Sequence, residues 1–306
     1  MEVSVVVCTY SLDMYDHFCD AADSVLTQSY DDIELVIVVD GTEAVFDRVQ
    51  DDYADRDDTV IHCNEENQGL LRSRNRGAEL ATGDVVAFLD DDAVADSEWV
   101  GNLVAAYEEE DATAVGGKMT PIWVAGNPTF LPAEFYWLVG VTHAGFADGA
   151  CEVRNTFGSN ISFRHDVFTE LGGFDPDIGG RKGDANLQGG ETELCARMNR
   201  QYGSGVWYVP SAEVGHKVFD YRTDFRWLLD RAFWQGYSKR AMSVLLPKTG
   251  DEEGDFLRYL LVESVPSRLR GMVWGERRRH GLQLISLLVF TVVVGLGYLY
   301  GLIHWR

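Results

Sequence analysis

The stretch "VVAFLDDDAVAD" (residues 85–96) sets five apolar residues directly before three consecutive carboxylates. An apolar run without polar alternation reads as a strand covered on both faces, as in a parallel sheet packed between helices. Ligands of such sheets bind beyond the carboxyl ends of the strands, and there stand Asp90, Asp91 and Asp92. Three like charges at one strand end repel one another. A hard divalent cation, Mg²⁺ or Mn²⁺, together with a substrate diphosphate offsets that repulsion. Successive side chains of a strand point to opposite faces, so only one or two of the three can ligate the ion.

The chain on either side follows the same logic. "VSVVVCTY" (3–10) and "IELVIVVD" (33–40) read as buried strands, the second ending on Asp40, and "TVIHC" (59–63) as a shorter one. Helical patterns run through Phe18, Ala22, Val25 and Leu26, from Glu43 to Tyr53, and from Gly69 to Ala81. This alternation predicts an α/β protein with a mostly parallel sheet flanked by helices. No GxGxxG and no GxxxxGK[ST] follows any of these strands, which counts against nicotinamide and P-loop chemistry.

With 306 residues and 46% hydrophobic side chains the chain can build a large core. Its 49 acidic residues against 26 basic ones, five of them lysine, give a net charge of −23. That surface excludes a nucleic-acid partner, which needs basic patches, and it suits concentrated salt. The five cysteines are scattered and lack CxxC spacing, so no zinc site or disulfide framework is expected, and Cys8 and Cys195 read as core residues.

The far end differs. Leu282 to Ile303 holds 22 residues without a charge, about 33 Å as a helix at roughly 1.5 Å per residue, enough to cross a bilayer. Arg277, Arg278 and Arg279 precede it and place the rest of the chain in the cytoplasm by the positive-inside tendency. Between Ser267 and His280 five arginines face one glutamate, a local reversal that predicts contact with anionic headgroups. The expected division is a catalytic domain over 1–245, a basic interfacial segment over 246–280 and a transmembrane helix over 281–304, single-pass in the cell membrane. "RAFWQGYSKR" (231–240) mixes aromatic and basic residues and reads as a guide for a lipid-linked acceptor.

"VSVVVCTY", "ELVIVVDGT", "NQGLLRSRNRGAELATGDVVAFLDDD" and "GGETELCARM", in this order over residues 3 to about 200, resemble the family 2 glycosyltransferases of GT-A (nucleotide-diphospho-sugar transferase) fold. The resemblance implies a nucleotide-sugar donor, a DxD-type site for Mn²⁺ or Mg²⁺ and inversion at the anomeric carbon. Position by position it puts Thr9 and Tyr10 beside the nucleotide base and Asp40 on uracil, with Val39 where relatives carry a first acid. It lines the nucleotide pocket with Asn67, Gly69, Arg74 and Asn75, of which Arg74 faces the diphosphate. Asp90 and Asp91 serve the ribose and water ligands, Asp92 the metal, with His216 of "VPSAEVGHKV" as a further metal ligand. Glu191 takes the place of the Asp that deprotonates the acceptor, with Gly190 where the first acid of the pair would be, and Glu193 pairs with Arg197 at i+4. Gly158, Ser159 and Asn160 fall on a strand near the sugar with Asp175 in the loop after it, and Arg181 and Lys182 clamp the leaving diphosphate. The QxxRW of processive relatives is absent after Gln235, so single-sugar transfer is expected.

With the acidic composition and the apolar end, the chain is similar to haloarchaeal enzymes that assemble lipid-linked glycans for N-glycosylation of surface-layer glycoproteins. That likeness implies a UDP-hexose or UDP-hexuronic acid donor, a dolichyl-phosphate-linked glycan acceptor, membrane lipid, and other glycosyltransferases of the same pathway as partners. The alternatives are a dolichyl-phosphate sugar synthase charging the bare lipid phosphate and a non-catalytic nucleotide-sugar-binding subunit.

Overall fold

A computed structural model describes residues 1–182, 185–246 and 251–305, without the side chains of 181, 182, 185 and 251–253. Val3–Thr9 forms β1, buried at every position. Val5 and Val7 join one apolar cluster with Phe18, Leu35, Ile37 and Trp99, while Val6 and Cys8 join a second with Val36, Val38, Phe88 and Phe168. Both faces of the strand are therefore in core, which is why its sequence shows no polar alternation.

The remaining strands are β2 (Ile33–Val39), β3 (Thr59–Cys63), β4 (Val85–Asp90), β5 (Ala93–Ala95), β6 (Ala114–Trp123), β7 (Cys151–Val153), β8 (Ile161–Arg164), β9 (Gly180–Lys182), β10 (Ala185–Leu187) and β11 (Val206–Val218). Nine of them make one sheet in the order β3-β2-β1-β4-β8-β6-β11-β5, with β7 on β11, and β9 and β10 pair by themselves. The first four strands run parallel; β8 turns antiparallel to β4 and to β6, and β11 is antiparallel to β5 and β7. The sheet is thus parallel as far as Asp90 and mixed beyond it.

The helices are α1 (Tyr15–Leu26), α2 (Glu43–Tyr53), α3 (Leu70–Leu80), α4 (Trp99–Glu110), α5 (His165–Glu170), α6 (Gly190–Tyr202), α7 (Asp220–Thr223), α8 (Phe225–Leu245), α9 (Asp251–Tyr259), α10 (Val265–Trp274) and α11 (Arg277–His304). Helix α3 packs closely on the sheet at Gly77, where an added Cβ would stand 2.3 Å from Val6 Cγ1. Among the described residues α11 is the one helix long and apolar enough to cross a membrane. It begins at Arg277, so the three arginines ahead of the apolar run form its first turn.

The chain divides into two compact units. One comprises Met1–Thr120, Gly149–Asp177 and Gly190–Lys217; the other comprises Pro121–Asp148, Ile178–Gly189 and Val218–Arg306. The second unit has its own core, where Phe135, Leu138, Val139, Leu228, Leu260, Leu287 and Phe290 meet.

Candidate active site

The parallel register aligns the strand ends: Thr9 pairs with Val39 and Cys8 with Asp90. The residues that follow these strands therefore collect at one edge of the sheet. Arg74, on the inner face of α3, reaches that edge and is almost wholly buried. Its Nη2 donates to Asp90 Oδ1 at 2.6 Å and its Nη1 to Glu191 Oε1 at 3.0 Å, while the guanidinium lies over the rings of Phe88 and Phe174. Burial works against its charge, but Asp90 and Glu191 more than offset that and raise its pKa above the ordinary arginine value. Glu191 stands in the first turn of α6, where the helix end favours a negative charge. A Cβ at Gly158 would lie 2.0 Å from Glu191 Oε1 and 2.6 Å from Arg74 Nη1. Glycine at 158 is what lets the ion pair form.

Asp92 is buried beside His216, with His216 Nε2 3.4 Å from Asp92 Oδ1. The short strand β5 makes this contact, because Ala93 pairs with His216 and the Lys217 N–H donates to the Asp92 carbonyl at 2.8 Å. Asp91 sits between the two other acids, and its pKa is pushed up to about 7, by burial first and then by the charges of Asp92 and Asp90. A carboxylate and an imidazole at this spacing form an O/N donor pair that suits a divalent transition metal whose other positions are filled by substrate oxygens. Among the described residues no group of three or more His, Cys, Asp or Glu is placed to hold an ion by itself.

Asp40 serves the loop that follows β3. Its carboxylate accepts from Asn64 Nδ2, from the Gln68 N–H and from the Gly69 N–H, each at 2.9 Å. Both oxygens are engaged, which leaves Asp40 one acceptor position of four. Gly41, at φ +73°, passes so close to the loop that a Cβ would meet Asn67 N at 2.2 Å. Thr9 is buried and Tyr10 exposed at this edge.

Several expected positions differ. Asn67 is exposed, and the asparagine that reaches Asp40 is Asn64. The Asn75 side chain is taken up by the backbone of Phe174, accepting from its N–H at 2.9 Å and donating to its carbonyl at 2.8 Å, so it pins a turn instead of lining a pocket. Arg74 is engaged by two carboxylates rather than open to a diphosphate. Gly158, Ser159 and Asn160 precede β8 rather than lying on it. Ser159 Oγ accepts from the Asp90 N–H, and the fully buried Asn160 ties Trp99 and Gly117 to Lys118 and Ala212. Asp175 makes a local turn with the Asp177 N–H. The Arg181 and Lys182 side chains lie outside the described residues. Glu193 and Arg197 do pair, through two hydrogen bonds of 2.6 and 2.8 Å.

Residues 4–172 match the sequence model of glycosyl transferase family 2. The chain is 53% identical to the glucosyl-dolichyl phosphate glucuronosyltransferase of Haloferax volcanii over 99% of its own length and 97% of that protein's. The chain belongs to glycosyl transferase family 2. The pre-mycofactocin glycosyltransferase of Mycobacterium tuberculosis is 26% identical over 69% of this chain and 43% of its own. Among solved structures, the mannosyltransferase PcManGT of Pyrobaculum calidifontis with GDP-Man and Mn²⁺ superposes with a TM-score of 0.60 at 16% identity, covering 98% of this chain and 87% of its own. Staphylococcus aureus TarS 1–349 with UDP-GlcNAc gives 0.58 at 15% identity over 98% and 92%. The fold is GT-A and the protein is a glycosyltransferase.

Within this family 2 enzyme, two residues carry structure at the candidate site without having been singled out for it, and Gly158, expected near the sugar, has a further role there. Asn64 sits in a loop with other polar residues and nothing in its spacing sets it apart. Gly41 looks like an ordinary turn glycine. Gly158 acquires meaning only once Glu191, 33 positions later, is folded against it.

Proposed function

We propose that the protein transfers a glucuronosyl unit from UDP-glucuronic acid to glucosyl-dolichyl phosphate, with inversion, in the N-glycosylation of a haloarchaeal surface-layer glycoprotein. The name of the Haloferax volcanii relative supports donor sugar and acceptor, and the acidic composition supports the setting. The observation that carries the chemistry is the bridge of Arg74 between Asp90 and Glu191.

In this reading Glu191 accepts the proton of the acceptor hydroxyl as the hydroxyl attacks the anomeric carbon from the face opposite the departing diphosphate. Arg74 holds the carboxylate in one rotamer before the acceptor arrives. Asp90, fixed by Arg74 and Ser159, receives the ribose, and Asp40 offers its remaining acceptor position to the base while Thr9 and Tyr10 border it. Asp92 and His216 would hold Mn²⁺ or Mg²⁺, whose charge offsets that developing on the nucleoside diphosphate. Arg181 and Lys182 complete the clamp on the leaving group. The region 1–245 acts as the catalytic part, 246–280 bears on lipid headgroups, and the enzyme works at the cytoplasmic face of the cell membrane beside other glycosyltransferases of its pathway.

The test is product formation from a panel of UDP-sugars and glucosyl-dolichyl phosphate in molar KCl with Mn²⁺. The expected result is one disaccharide-lipid product, from UDP-glucuronic acid. Transfer from another donor, or to bare dolichyl phosphate, would replace the substrate assignment.

A further inference from the structure

Helices α8 and α11 meet at a seam of glycines. A Cβ at Gly236 would stand 2.0 Å from the Val294 carbonyl oxygen, and one at Gly297 would stand 1.9 Å from that of Phe233. Their backbones are in contact, as small residues permit. Further along, Gly301 rests on the Arg240 side chain, Arg240 Nη2 donates to the Trp305 carbonyl at 3.0 Å, and the Tyr237 ring faces Tyr300, His304 and Trp305. Toward the other end Phe290 packs on Phe225 and Phe135. Contacts advance together along both helices, from Phe225 with Phe290 to Arg240 with Trp305, so the two lie side by side and parallel. Protein covers one face of α11 from Gln283 to Gly301.

The opposite face is exposed and apolar, and toward its end Tyr298, Tyr300 and Leu302 widen it. Leu282, Ile285, Leu288, Val292, Leu296, Leu299 and Ile303 follow one another at three- and four-residue steps, all in solvent. Exposed Leu261, Val262, Leu269, Val273 and Trp274, the last 88% exposed, add to the apolar surface of the same unit. Arg270, Arg277, Arg278 and Arg279 are exposed as well, in a chain of net charge −23. An apolar stripe accompanied by arginines complements an anionic lipid surface. Helix α8, by contrast, carries Arg226, Asp230, Arg231, Lys239 and Arg240. If α11 crossed the bilayer with the seam intact, it would take Arg226, Asp230 and Arg231 into hydrocarbon, where they are strongly disfavoured, while Lys239 and Arg240, level with Trp305, would lie at its end.

We propose that α11 does not cross the bilayer: it lies in the plane of an anionic membrane surface, its exposed stripe in the acyl boundary and its other face kept on α8. This rests on the membrane-associated reading above and replaces the single-pass topology expected from length and composition. Both ends of α11 are then on the side of the membrane that carries the catalytic region.

Sidedness tests this directly. The full chain is expressed with H304C at the end of α11, or with D57C at an exposed loop position as the marker of the catalytic region. Inverted membrane vesicles are treated with a membrane-impermeant maleimide, and labelled peptides are assigned by mass spectrometry so that native thiols do not interfere. The expected result is equal labelling of both positions in the same vesicles without detergent. If H304C labels only in right-side-out vesicles, the helix spans and the proposal is overturned. If the chain leaves the membranes altogether on washing in molar KCl, the membrane reading itself is wrong, a result distinct from the sidedness one. A cysteine appended after residue 306 repeats the readout should H304C not accumulate.

Discussion

Arg74 is the residue on which the candidate site turns, because its two carboxylate partners come from different elements, Asp90 from the end of β4 and Glu191 from the first turn of α6. Replacing it with methionine leaves Asp90 and Glu191 uncompensated, and a loss of about 3 kcal/mol in unfolding free energy is expected, read by denaturant titration in molar salt. Gly158→Ala pushes a methyl group into the space of the Glu191 carboxylate. The expected outcome is a fold destabilised by only about 1–3 kcal/mol with transfer activity reduced as severely as by loss of Glu191, checked by assaying folded variant protein. Asp91 sets a pH dependence. Its folded pKa of about 7 lies above the unfolded carboxylate value, so between those limits the folded state holds a proton that the unfolded chain has released. Its contribution to stability is therefore present at low pH and is lost as pH rises through 7. Thermal unfolding in EDTA is expected to show wild type losing more stability than Asp91→Asn between pH 5 and pH 8. A parallel loss in both proteins would show that Asp91 does not carry the effect.

At the scale of elements, the parallel half of the fold was legible because burial on both faces writes the same signal into each strand. β1, β2, β3 and β4 begin and end within a residue of where apolar runs and flanking polar residues put them. The helices before Asp90 were readable from their periodicity. The second half was not, because β5 is three residues long and its partner in β11 lies about 120 positions away; no local pattern announces such a pairing. That pairing is also what brings His216 to Asp92, so the contact followed from the likeness to the family and not from spacing. In the loop after β3, hydrogen-bond satisfaction of buried Asp40 falls to Asn64, which no local pattern marks, three residues before the Asn67 that the family likeness assigns to the nucleotide pocket. Gly41→Ala is expected to destabilise the protein more than Asn67→Ala, since the alanine must adopt φ +73° and clash with the loop backbone. Comparing the two melting temperatures checks this. Asn75, on α3, shows a similar point, for its side chain holds the backbone of Phe174.

For the whole molecule, the net charge of −23 and the arginine-bearing apolar end give the surface two unlike parts. Screening of carboxylate repulsion predicts a melting temperature that rises from low salt to molar KCl. The 53% identity to a glucuronosyltransferase acting on a dolichyl phosphate glycolipid accords with both halves of that surface. The central claim is that this GT-A scaffold catalyses sugar transfer with Glu191 as the base, held by Arg74. The measurement that tests it most directly is kcat of wild type and Glu191→Gln at saturating UDP-glucuronic acid and glucosyl-dolichyl phosphate, in molar KCl with Mn²⁺. The account predicts a fall in kcat of about 10²–10⁴-fold with the KM for the donor unchanged. An unaltered kcat in the glutamine variant would contradict it and assign the proton transfer to another residue.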